Sequence, residues 1–126
     1  MDMYRMIILE HNKQPHNKGT IEHPDVCYKE KNPLCGDEIQ MDAVIDEQGN
    51  VKEIKFDGHG CAISQATASL LTDNVKDLPI DDILALKKQE ILDLLGIDLT
   101  FMRIKCAMLS LHVLQKGILQ YKAKKR

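Results

Sequence analysis

Apolar and polar residues alternate most clearly between Ile39 and Asp46. Ile39, Met41, Ala43 and Ile45 interleave with Gln40, Asp42, Val44 and Asp46, the pattern of a strand with one buried face. Glu47-Gln48-Gly49-Asn50 reads as a turn, and Val51 to Asp57 returns with Ile54 and Phe56 facing one way. The two runs predict a hairpin. Val26 to Lys31 reads as a further strand, broken by Asn32-Pro33 just before Cys35-Gly36-Asp37. Gly58-His59-Gly60 closes the hairpin's second strand and introduces Cys61.

Elsewhere the period changes to that of helices. Met3 to Asn12 reads as a short amphipathic helix with Met3, Met6 and Ile7 on its apolar face, ended by Pro15 and Asn17-Lys18-Gly19. Ala62 to about Lys76 is rich in Ala, Ser and Thr, with Ile63, Ala66 and Leu70 at helical spacing. Such small residues let a helix lie close on a sheet. Pro79 and Asp81 start another helical region, Asp82 to Leu95, which Gly96 stops. The last helix runs from near Arg103 to Tyr121 with Ile104, Met108, Leu111, Leu114 and Ile118 as its stripe, and Thr100 is placed to cap it. Strands come first and helices afterwards, which favours an α+β fold over an alternating parallel one.

The 126 residues fit one domain, 1–126, and 44% hydrophobic with 29% charged residues is ordinary globular composition. The net charge of −2 leaves no footprint for nucleic acid, and five aromatic residues without Trp suggest no stacking platform. Lys116, Lys122, Lys124, Lys125 and Arg126 read as the solvated end of the last helix. No apolar run is long enough for a membrane span, and Asp2, Arg5 and Glu10 break any signal-peptide core. The expected compartment is the cytoplasm, where cysteines serve metals, catalysis or packing rather than disulfides.

Cys35, Cys61 and Cys106 lie 26 and 45 positions apart, without the local spacing of a zinc finger. Their settings carry more information. Cys35 sits in a turn before a strand, Cys61 follows Gly58 and Gly60 and opens a helix, and Cys106 falls in the expected first turn of the last helix. Helix N-termini favour thiolates. On this evidence alone a shared metal site and three separately buried cysteines both remain open.

The words around these cysteines resolve the choice. Asn32-Pro33-Leu34-Cys35-Gly36-Asp37, Gly58-His59-Gly60-Cys61-Ala62-Ile63-Ser64 and Arg103-Ile104-Lys105-Cys106-Ala107 closely resemble the IscU/SufU family of iron–sulfur cluster assembly proteins, whose fold is also that of the NifU N-terminal domain. Met3-Tyr4 to His11 followed by Pro15, Asn17, Lys18 and Gly19 is similar to that family's N-terminal segment. The resemblance spans nearly the whole chain in order. It implies a three-stranded antiparallel sheet packed by four to five helices, with the metal site at one exposed tip. It implies Cys35, Asp37, Cys61 and Cys106 as ligands. A cysteine desulfurase would deliver persulfide sulfur, a two-iron, two-sulfur cluster (2Fe-2S) or its iron precursor would be held, and apo iron–sulfur recipient proteins would receive it. The chain would act as a scaffold rather than an enzyme, as a monomer or a cluster-bridged homo-oligomer. In the zinc-dependent SufU branch, zinc instead shapes a site that accepts and relays persulfide. Cys35, on a turn, is the expected persulfide acceptor, with Cys106 as the competing one. Asp37 fits this chemistry on its own terms, since a hard carboxylate among soft thiolates makes a centre that holds a metal or cluster yet releases it readily.

Each branch is matched incompletely. IscU proteins usually carry His before the third cysteine, where this chain has Lys105, and the IscU chaperone-recognition stretch Leu-Pro-Pro-Val-Lys has no match near Leu99 to Arg103. Arg103 resembles the SufU pattern, where it would pair with Asp37, yet the SufU insertion between the second and third cysteines is missing. Lys105 would attract anionic sulfur. Tyr4 is a candidate partner contact. Cys27 reads as a small buried hydrophobe and His59 as a loop residue. His112 reads as a packing residue, and His11, His16 and His23 have no ligand partner in view. A purely structural zinc module is the competing class; a hydrolytic zinc enzyme lacks the expected general base.

Overall fold

A computed structural model describes residues 2–33 and 36–125. Strands β1 (Val26–Lys31), β2 (Glu38–Ile45) and β3 (Val51–His59) form one antiparallel sheet in the order β1-β2-β3. Helices α1 (Met3–Lys13), α2 (Ala62–Val75), α3 (Ile80–Leu84), α4 (Lys88–Leu95) and α5 (Phe101–Lys124) pack with it. This is the expected α+β architecture.

The alternation along β2 does what it predicts. Ile39, Met41, Ala43 and Ile45 are buried, and Ile54 and Phe56 of β3 join them in a core shared with α2 and α5. The opposite face is less open than its polarity suggests. Asp42 is buried there, accepting hydrogen bonds from Ile21 N–H (3.0 Å) and Gln40 Nε2 (3.0 Å). The segment after α1 also runs along the free edge of β3. Gly19 N–H donates to Phe56 O (2.8 Å) and Phe56 N–H to Asn17 O (2.9 Å), which covers an edge that would otherwise invite pairing.

Three expectations are corrected. In α1, Met3 and Met6 are exposed with Leu9, while Ile8 is the buried residue. The inward stripe is Tyr4, Ile8 and His11, at i, i+4 and i+7. The Tyr4 ring covers Gly96, and the His11 ring meets Ser69 Oγ at 2.7 Å. Polar tips on the docked face misled the hydrophobic pattern. The helical region after Pro79 is two helices, not one. Gln115 of α5 donates from Nε2 to Ile83 O and Leu86 O, both at 3.0 Å, and so satisfies carbonyls at the break. Glu90 then restarts the helix by accepting Lys87 N–H (2.6 Å). Cys27 is exposed rather than buried, because its strand position faces away from the core.

The long α5 lies close on β1 because Gly117 offers no side chain. A Cβ there would fall 2.7 Å from Val26 Cγ1 and 3.1 Å from Tyr28 Cβ. In an exposed helix, Gly to Ala gains up to about 1 kcal/mol. Here Val26 is buried and stiff at χ1, and overpacking costs about 1–3 kcal/mol. Gly117→Ala is therefore expected to lower stability in urea unfolding; an increase would refute the close-packing argument.

Candidate metal centre

The sheet register brings the site together. Lys31 pairs with Glu38, and Glu38 pairs with His59, so 36–37 and 60–61 leave the same end of the sheet. Gly58, at φ 129°, lies against the Glu38 backbone so tightly that any Cβ would overlap the Glu38 carbonyl. Gly60 is equally confined. A Cβ there would fall 2.5 Å from both Asp37 Oδ1 and Ser64 Oγ. Two glycines thus let the end of β3 lie directly on the segment that carries Asp37.

Cys61 is the N-cap of α2. Its N–H donates to Asp37 Oδ1 (2.9 Å), and its Sγ lies 3.6 Å from Oδ2. Ser64 Oγ donates back to Cys61 O (3.1 Å), fixing the first turn. Asp37 is 1% exposed and Cys106 2%, while Cys61 is half-buried and reaches solvent. Cys106 arrives from α5. That helix begins at Phe101, with Thr100 Oγ1 accepting Arg103 N–H (3.4 Å), so Cys106 lies in the second turn rather than the first. Packing of α5, and not a helix N-terminus, positions its sulfur.

Ligand atoms of Asp37, Cys61 and Cys106 lie within 4.8 Å of one another. Two sulfurs and a buried carboxylate at one place suit a thiophilic cation, since such anionic donors are costly to bury without positive charge. Cys35 lies outside the described residues. Arg103 and Lys105 are exposed on α5, with the Lys105 ammonium 5.0 Å from the Phe101 ring centre. Tyr4 is half exposed. His59 stands 3.4 Å from Glu38, and His112 3.2 Å from Glu30. Cys27 is held apart on β1, where partial desolvation, reinforced by Asp42, pushes its thiol up.

A second convergence had no signal in the sequence. His11 and His16 meet Asp73 of α2, with ligand atoms again within 4.8 Å of one another. His16 and Asp73 are 57 positions apart, and only the docking of α1 and its following loop on α2 joins them.

Fold and site together define a small α+β protein with a thiolate–carboxylate centre where a hairpin end meets two helices. The NifU-like N-terminal domain family matches residues 3–126, and the chain belongs to that family. It is 34% identical to the zinc-dependent sulfurtransferase SufU of Bacillus subtilis, over 92% of this chain and 89% of that one. It is 28% identical to the iron–sulfur cluster assembly scaffold protein IscU of Haemophilus influenzae, over 96% and 97%. The fold also matches the crystal structure of the N-terminal part of a nitrogen-fixing NifU-like protein from Brucella abortus. There the TM-score is 0.80, the identity 20%, and the coverage 97% of this chain and 96% of that one. No helix among the described residues is long and apolar enough to cross a membrane.

Gly60→Ala is expected to push the Asp37 carboxylate out of place and weaken metal binding by about tenfold, the low end for a disturbed metal environment. Cys27→Ser should leave binding unchanged. Zinc or cobalt titration of the reduced protein checks both.

Proposed function

We propose that this chain is an iron–sulfur cluster assembly scaffold that receives sulfur from a cysteine desulfurase, builds a labile two-iron, two-sulfur cluster and transfers it to apo-proteins. The observation that carries this reading is the convergence of Asp37, Cys61 and Cys106 at a half-open site. Cys35, two positions before Asp37 in sequence, completes a donor set of three thiolates and one carboxylate. The cluster is cargo, and the site's task is to hold it without keeping it. Thiolates supply affinity for iron, and Asp37 is the weaker ligand that lets go first. Arg103, three residues before Cys106, is the cation that takes up the Asp37 carboxylate when it leaves the metal. Lys105 adds positive charge for incoming anionic sulfur.

Cys35 is the acceptor: its thiolate attacks the outer sulfur of the desulfurase persulfide, the S–S bond breaks and the desulfurase cysteine leaves as thiolate. The half-buried Cys61 is where the centre reaches solvent. Exposed Met3, Tyr4, Met6 and Leu9 on α1, with Phe101 and Met102 at the start of α5, offer apolar surface to a desulfurase or recipient. The reading places the single domain in a reducing compartment such as the cytoplasm, where thiolates persist.

A second reading, a zinc-dependent sulfurtransferase that relays persulfide, is favoured by the 34% identity to the Bacillus subtilis SufU protein and by Arg103. There the same four residues would hold zinc, which fixes the thiolates and tunes their reactivity.

Anaerobic incubation with a cysteine desulfurase, cysteine, ferrous iron and an excess of thiol reductant, which supplies the electrons that take persulfide sulfur to sulfide, separates the two. The scaffold predicts about two irons and two sulfides per site, lost when Cys35, Cys61 or Cys106 is replaced by Ser. Asp37→Ala should slow cluster release to an apo-acceptor by about tenfold, and Arg103→Ala should slow it in the same sense. One tightly held zinc with desulfurase stimulation and no acid-labile sulfide would instead establish the sulfurtransferase.

A further inference from the structure

α1 and the loop after it are fastened to α2 by a cluster unrelated to the cysteine centre. His16 Nδ1 lies 2.6 Å from Asp73 Oδ2, and Asn17 Nδ2 donates to Asp73 Oδ1 (2.9 Å) and to Thr72 Oγ1 (2.9 Å). His11 Nδ1 meets Ser69 Oγ at 2.7 Å, and the same hydroxyl oxygen accepts the His16 N–H at 2.8 Å. The two imidazole rings stand 4.4 Å apart, tilted by 48°.

If holding the loop were the cluster's whole purpose, two imidazoles side by side would be a poor choice. Each proton gained by one repels the other. Two imidazoles beside a carboxylate are the donor set that borderline dications select. A ring nitrogen of each histidine and a carboxylate oxygen of Asp73 lie within 4.8 Å of one another, close enough to meet one ion. His16 and Asp73 are solvent-accessible, so an ion can enter without unfolding the protein.

We propose that His11, His16 and Asp73 form a second metal site for a zinc-class dication, separate from the cysteine centre, which clasps the N-terminal helix and its loop to α2. The ligands differ in kind from those of the cysteine centre. This one has nitrogen and oxygen donors and no sulfur, so it takes zinc, cobalt or nickel in preference to an iron–sulfur cluster.

Cobalt distinguishes the two sites, because only thiolate ligation gives an intense sulfur-to-cobalt charge-transfer band. The full chain, reduced and freed of metal, is titrated anaerobically with cobalt. The expected result is two equivalents, one with that band and one with weak ligand-field absorption alone. His16→Ala, at an exposed side chain, should weaken the second by at least about tenfold and leave the charge-transfer band intact. His11→Ala and Asp73→Asn should do the same. A wild-type protein with no sulfur-free equivalent, or one whose sulfur-free equivalent survives both histidine substitutions, overturns the proposal. Loss of the charge-transfer band with retention of a histidine-dependent equivalent would sustain this site and count against the cysteine centre.

Discussion

A carboxylate buried to 1% exposure at the end of a sheet is the constraint around which this structure is arranged. An ionised group in that position costs several kcal/mol unless it is met by donors or cations. Asp37 is met first by the Cys61 N–H at 2.9 Å, a charge-assisted bond of about 1.5–3 kcal/mol. That bond forms only if 60–61 lie on 36–37. This in turn requires the Glu38–His59 pairing and glycine at 58 and 60. The bond also sets where α2 begins, since Cys61 is the N-cap. One acid therefore ties strand register, loop composition and the start of a helix to the same point.

The third donor reaches that point by a different route. Cys106 belongs to a 24-residue helix fixed far from the site, where Gly117 lets it settle against Val26 and where Gln115 bonds the break between α3 and α4. The centre therefore joins two bodies, the hairpin end with α2 and the shaft of α5. A ligand set shared in this way grips by packing. Its grip changes whenever the two bodies move relative to one another.

Much of this was legible in the sequence, for identifiable reasons. The hairpin was, because alternation in Ile39–Ile45 and Ile54–Phe56 reports one buried face. The opening of α2 at Cys61 was, because glycines mark the end of the strand before it. The meeting of Asp37, Cys61 and Cys106 was not legible from spacing; the words around them implied it, together with Cys35, which lies outside the described residues. Other features were hidden for physical reasons. The docked face of α1 carries Tyr4 and His11, whose polar tips hide it from a hydrophobic pattern. The break after Leu84 depends on a side chain some thirty positions away. The start of α5 at Phe101 moved Cys106 from the first turn to the second. The meeting of His11, His16 and Asp73 is purely tertiary.

The hairpin register has a further consequence for redesign. The turn at Asp46–Asn50 lies at the end of β2 and β3 opposite the site, beyond the Ile45–Val51 pair. Extra residues placed there would lengthen the loop without altering which residue faces which, and longer loops add closure entropy only slowly. A single residue inserted inside either strand would instead carry Asp37 and Cys61 out of step and turn the apolar face outward. The exposed Glu47–Gln48 tip is thus the place to graft a tag, a reporter or a second binding module, since Gly49 O accepts Ile80 N–H (3.0 Å) and Asn50 pairs with Pro79.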